Sequence, residues 1–146
     1  MNINKLALGG DHAGFQLKEA IRSYLEENGI EVKDFGTYSE DSFDYPDVAH
    51  PIAKSIVNGE FKMGIVICGS GNGINMTMNK YSEIRSALCW TAELAELARL
   101  HNNANVLALP ARYIDSKTAM DCVKTFIRAD FEGGRHQRRV DKISNI

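Results

Sequence analysis

Cys68-Gly69-Ser70-Gly71-Asn72-Gly73 sets a thiol directly before a glycine-rich turn. The residues ahead of it, Met63-Gly64-Ile65-Val66-Ile67, form the apolar run of a strand buried in a parallel sheet. The residues after the turn have the pattern of a helix. A thiol at that junction lies where unpaired N–H groups and the positive end of a helix dipole converge. Such a place favours thiolate over thiol and holds an anion. The segment therefore offers a base or nucleophile beside an oxyanion nest built from Gly69, Ser70, Gly71, Asn72 and Gly73. A lone buried cysteine is as readily a small apolar residue. The glycines are what separate Cys68 from Cys89 and Cys122, which lack such a setting and read as core.

Three known glycine-loop chemistries fail here. A P-loop needs Lys where Ser70 stands, at the Gly64/Gly69 spacing. The dinucleotide fingerprint is one residue short in Gly69-Ser70-Gly71-Asn72-Gly73, and Leu88-Cys89-Trp90 supplies no acidic ribose partner. A cysteine phosphatase loop needs Arg where Ile74 stands. Metal catalysis has no H-E-x-x-H, no paired carboxylates and no Cys/His cluster to support it.

Other candidates lie in turns. Asp11-His12 follows the first apolar run; alone, the pair is a turn aspartate beside a surface histidine. His101 closes a helical stretch in Leu100-His101-Asn102-Asn103, where a helix dipole favours an imidazolium in any case. Arg135 and Arg139 are four apart and share a face if the tail is helical, with Gly133-Gly134 free to aim it. Two guanidinium forks on one face suit a phosphate, although a solvated basic tail is the usual fate of such a run. Arg112 is a third cation of the same type.

The elements that must position these groups alternate along the chain. Strands are expected over 4–9, 30–35, 63–68, 84–89 and 105–109. Leu17, Ala20, Ile21, Tyr24 and Leu25 recur at helical spacing, and Gly29 stops that helix. The polar stretch 36–47 is long for a connection in a compact domain. Pro51 suits the first turn of a helix carrying Ile52, Ala53, Ile56 and Val57. Further helices are expected over about 73–80, after a Thr91 cap, after an Asp115 cap and in the tail. Five strand–helix alternations imply an α/β fold, a parallel sheet covered by helices on both faces. Ligands in such folds sit outside the carboxyl ends of the strands, where Asp11-His12, Cys68–Gly73 and Trp90 fall.

The chain has 146 residues, enough for one domain burying roughly 68–70% of its unfolded surface. Its net charge of −2, with both signs dispersed, argues against nucleic-acid binding. There is no apolar run of membrane-spanning length, and no leader pattern precedes the first strand. Three well-separated cysteines argue against a disulfide framework. A soluble cytoplasmic protein is expected.

Taken together, the chain resembles the ribose/galactose isomerase family. The likeness rests on G-G-D-H-A-G at 9–14, D-Y-P-D at 44–47, I-C-G-S-G-N-G-I at 67–74, N-K at 79–80, I-R-S-A at 84–87, H-N-N-A-N-V at 101–106 and E-G-G-R-H-Q-R-R-V at 132–140. It runs over essentially the whole chain. The resemblance implies a single domain, 1–146, as a three-layer Rossmann-like α/β/α sandwich with a five-stranded parallel sheet in order 2-1-3-5-4. The tail 131–146 would contribute phosphate ligands. It implies a cofactor-independent aldose–ketose isomerase acting on ribose 5-phosphate and ribulose 5-phosphate. Hexose 6-phosphate isomerisation and a catalytically silent sugar-phosphate-binding regulator are the alternatives. Carried over by position, Cys68 is the base, His101 opens the sugar ring, Asp11 assists at the ring oxygen, and Ser70 with the Gly69–Gly73 amides holds the oxyanion. His12, Arg135 and Arg139 hold the phosphate, Asn102 and Arg112 contribute, and Tyr45 lines the sugar site. Some relatives carry a Glu base at the position of Asn72; here Cys68 is present and Asn72 is not acidic. The implied partner is a second copy of the chain, with sites at the interface and a tetramer left open.

Overall fold

The computed structural model describes residues 3–146. Five strands form one all-parallel sheet in order β2-β1-β3-β5-β4: β1 Lys5–Gly10, β2 Glu31–Asp34, β3 Gly64–Cys68, β4 Ser86–Leu88 and β5 Val106–Pro110. The expected strand order is the observed one. The α-helices are α1 Phe15–Glu27, α2 Tyr45–Val57, α3 Asn72–Met78, α4 Ala92–Asn102, α5 Ser116–Arg128 and α6 Arg135–Ile143. Every residue of β3 and β5 is buried, as two-sided coverage of central strands requires.

Side chains of a strand alternate between faces, and the core divides accordingly. Leu6, Leu8, Ile65, Ile67, Leu107 and Leu109 pack with α1, α4 and α5. Ala7, Val66, Cys68, Val106 and Ala108 pack with α2 and α3 on the other face. Cys68 therefore belongs to the α2/α3 side. Cys89 and Cys122 lie in the opposite layer, as core residues.

Helix boundaries follow local chemistry. Thr91 Oγ1 accepts from Leu94 N–H, and Asp115 Oδ1 accepts from Thr118 N–H, so both expected caps operate. One expectation is corrected. Helix α2 begins at Tyr45 with Pro46 in its first turn, whereas Pro51 lies inside the helix. Pro46 needs no N–H donor there, so it takes the role read for Pro51. The connection after β2 is correspondingly shorter, and Tyr45 stands on a helix rather than in a loop. Strand β4 is also shorter than expected. Arg85 N–H is taken by Asn105 Oδ1 rather than by a β5 carbonyl, so the ladder starts at Ser86.

The segment after β2 is held by a charge the sequence does not mark. Lys18 on α1 is fully buried, and its Nζ lies 2.5 Å from Asp34 Oδ2 at the end of β2. Asp34 Oδ1 accepts from Gly36 N–H at 2.8 Å, and Tyr38 Oη donates to Asp34 O at 3.0 Å. Thr37 N–H then reaches Gly10 O, and Gly10 N–H reaches Gly36 O, stitching this segment to the end of β1. Removing Asp34 leaves the fully buried Lys18 with only the longer, 3.5 Å contact to the partly exposed Glu19, and a buried charge that loses its close partner is costly. Asp34→Ala should therefore lower stability by about 3–5 kcal/mol in urea unfolding; a loss below about 1 kcal/mol, the range of exposed pairs, would show that Lys18 reaches water instead.

Candidate active site

At the carboxyl edge, β3 ends at Cys68, which is 4% exposed. Gly71 adopts φ +74°, and a Cβ there would sit 3.0 Å from the Leu109 carbonyl carbon, so this turn accepts only glycine without rearrangement. Ser70 Oγ accepts from Asn72 N–H at 3.2 Å at the start of α3. Among the described residues no hydrogen bond takes up the N–H groups of Ser70 and Gly71.

Three neighbours close on this turn. The Tyr45 ring rests on Gly73, where any Cβ would overlap it. Arg112 N–H donates to Gly69 O at 2.9 Å, and its guanidinium covers Gly69, with Nη1 3.2 Å from where a Cβ would stand. Asp11, 7% exposed, donates its N–H to Ile67 O at 3.1 Å. Its Oδ1 accepts from Ala13 and Gly14 N–H at 3.0 and 3.3 Å, capping a 3-10 turn at His12–Gly14. The turn role and the placement beside β3 thus hold together. His12 Nδ1 lies 3.1 Å from Phe43 N and 3.3 Å from Phe43 O, so the Phe43 backbone holds the ring. Ser70, Leu88, Trp90, Pro110 and Tyr113 line a cavity of about 280 Å³ at this edge.

The remaining candidates gather elsewhere. His101 and Asn102 close α4, with three residues between it and the start of β5. In a parallel sheet that is the amino edge. Val106 is in register with Gly64 and Pro110 with Cys68, so the two edges are about 13 Å apart along the strands. Glu132 N–H donates to Leu100 O at 3.0 Å, fastening the tail to the end of α4. Gly133 and Gly134, at φ +70° and +55°, then swing the chain into α6, which carries Arg135 and Arg139. The rings of His101 and His136 stack at 4.2 Å and 11°. Burial, with the nearby charges of His101, Arg135 and Arg139, lowers the His136 pKa from its ordinary value against the opposing pull of Glu132. A larger cavity, about 490 Å³, opens on this edge between Asn79, Arg85, Asn102, Ala104 and Ile143.

One chain therefore brings together Asp11, His12, Tyr45, Cys68–Gly73 and Arg112. It sets His101, Asn102, Arg135 and Arg139 apart from them. Glu132 and His136 escape sequence reasoning, because tertiary contacts, the Glu132–Leu100 backbone bond and the packing of α6 on α4, fold them against His101.

An all-parallel sheet ending in a thiol and a glycine turn, with the Arg112 guanidinium over it, can take a proton beside an anion. The chain belongs to the Ribose/Galactose Isomerase family, whose model matches residues 6–143. It is 43% identical over 144 residues to ribose-5-phosphate isomerase B of Escherichia coli, covering 99% of this chain and 97% of that one. Ribose-5-phosphate isomerase B of Clostridium thermocellum superposes with a TM-score of 0.95 at 45% identity, covering 97% of this chain and 95% of that one. The enzyme of that name from Mycoplasma genitalium, solved with bound ribulose-5-phosphate, superposes with a TM-score of 0.92 at 39% identity, covering 99% and 97%.

The three cysteines differ in setting. Desolvation pushes the Cys89 thiol up to about 12 and the Cys122 thiol up to about 11. Both should remain thiols at neutral pH and resist alkylation in the folded protein. Iodoacetamide at pH 8 and then peptide mass spectrometry should find Cys89 and Cys122 unmodified until denaturant is added; native labelling of either would contradict their burial.

Proposed function

We propose that the protein interconverts ribose 5-phosphate and ribulose 5-phosphate by proton transfer through an enediolate. The observation that carries this reading is the Cys68–Gly73 turn with Asp11, Tyr45 and Arg112 gathered on it. It occurs in a chain that matches, over nearly its whole length, relatives named ribose-5-phosphate isomerase B, others being named more broadly as sugar phosphate isomerases.

Moving the carbonyl from C1 to C2 requires taking the C2 proton and carrying negative charge on oxygen. Cys68 is the base, and a positioned base contributes typically ~10²–10⁴-fold. The unengaged N–H groups of Ser70 and Gly71 and the Ser70 hydroxyl face the developing oxyanion, each donor contributing on the order of 10²–10³-fold. Gly69, Asn72 and Gly73 complete that wall, and Tyr45 lies along the sugar. The aldose is mostly cyclic, so ring opening needs its own proton carrier. His101 fills that role, with Asp11 at the ring oxygen. His12, Arg112, Asn102, Arg135 and Arg139 hold the phosphate, whose binding energy positions the reacting end.

Cys68 and His101 lie at opposite edges of one sheet. Their joint action on a single sugar therefore requires a second copy of the chain, each supplying what the other lacks. A homodimer with sites between subunits is the simplest assembly that does so.

Purified protein mixed with ribose 5-phosphate in EDTA should form ribulose 5-phosphate. A hexose 6-phosphate turned over ~10-fold faster would replace the substrate, and binding without turnover of either would make the protein a sugar-phosphate sensor. Cys68→Ala should lower kcat by ~10²–10⁴-fold while phosphate binding persists, because the base is lost and the nest is not. Turnover within a few-fold of the parent would remove Cys68 as base.

A further inference from the structure

Glu132 and His136 have no part in the isomerisation chemistry, yet both side chains converge on His101. Glu132 Oε1 lies 3.3 Å from His101 Nε2 and 3.5 Å from His136 Nε2, and the three ligand atoms all lie within 4.8 Å of one another. Two ligands held tetrahedrally at about 2.0–2.1 Å from a zinc ion stand about 3.3–3.4 Å apart. The carboxylate oxygen is already near that spacing from both imidazoles. We propose that His101, Glu132 and His136 form a binding site for a borderline-soft divalent cation of the zinc class, and that filling it withdraws His101 from the sugar.

The donor set is two imidazoles and one carboxylate, which suits zinc and leaves a fourth position open. The framework is rigid on one side. His136 is 8% exposed on α6, and its backbone N–H is bonded to Gly133 O. Glu132, one helical turn before it, is fixed to α4 through Leu100 O. The other side is accessible, since Glu132 is exposed and His101 half-buried. Stacked rings at 11° cannot both hold an ion in their planes, so binding turns the His101 ring, the less buried of the two, out of the stack. That motion carries it away from its apo position. Arg135 and Arg139 lie close enough to act on His136 and oppose a cation. The site therefore suits a reversible ligand rather than a permanent one. Binding stands on this geometry alone; its effect on turnover rests on the ring-opening role proposed for His101.

The test uses the full-length protein stripped of metal and titrated with Zn²⁺ against a chromophoric chelator, with Co²⁺ as a visible-absorption probe of the ligand field. One Zn²⁺ per chain is expected. Glu132→Gln and His136→Gln should each weaken it by at least the ~10–100-fold that outer-shell partners of a metal cost. His50→Gln, on α2 and bonded to the Tyr81 hydroxyl, should leave it unchanged. If His136→Gln fails to fold by circular dichroism, the exposed Glu132 variant decides. No zinc bound, or equal affinity in the variants, overturns the proposal. Zinc bound with inhibition relieved by EDTA supports it in full. Zinc bound with undiminished turnover upholds the site and removes His101 from ring opening.

Discussion

The carboxyl edge depends on how closely the turn after β1 approaches the end of β3. A Cβ on Gly10 would stand 2.7 Å from Ile67 O, and one on Gly14 would stand 2.7 Å from Ile67 Cγ2. Only bare backbone permits that approach. It lets Asp11 N–H reach Ile67 O, which sets the capping carboxylate beside the peptide that precedes Cys68. The same end of β1 holds the segment after β2 through Gly36 and Thr37, and that segment supplies the Phe43 backbone that orients His12. A single close contact between two parallel strands thus fixes three groups at once. The buried Lys18–Asp34 pair secures the segment from behind.

A parallel sheet also imposes a separation. Every strand–helix unit begins its helix at the carboxyl edge and returns it to the amino edge. Cys68 precedes a helix and His101 ends one, so they fall at opposite edges whatever their side chains are. On the proposed roles, the base and the acid–base imidazole of one chain fall in two half-sites.

Much of this is legible in the sequence, for reasons that differ by element. The Thr91 and Asp115 caps and the helices of the α/β alternation follow from local pattern, and the strand order from the family resemblance. The Cys68–Gly73 turn is legible because its chemistry is contiguous. Pro51 misleads because a proline that suits a helix start can also be tolerated inside one; Pro46 takes the first turn instead. Lys18 looks like a solvated helical residue, since no local signal marks a partner sixteen residues away. Glu132 and His136 are silent for the same reason: their meeting with His101 is made by tertiary backbone contacts. Arg112 reads only as a cation near the edge, and its backbone bond to Gly69 O depends on β3–β5 register.

The separation of the two half-sites has a genetic consequence. On the divided-site reading, a chain defective at Cys68 and a chain defective at His101 fail for complementary reasons. Co-expressed, they would form mixed assemblies in which one pocket inherits both lesions and the other inherits neither. Two inactive alleles would then rescue each other in part, while two alleles damaged at the same edge would not. On the same reading turnover would report association, because dilution that parts the chains would dismantle every pocket without unfolding either one.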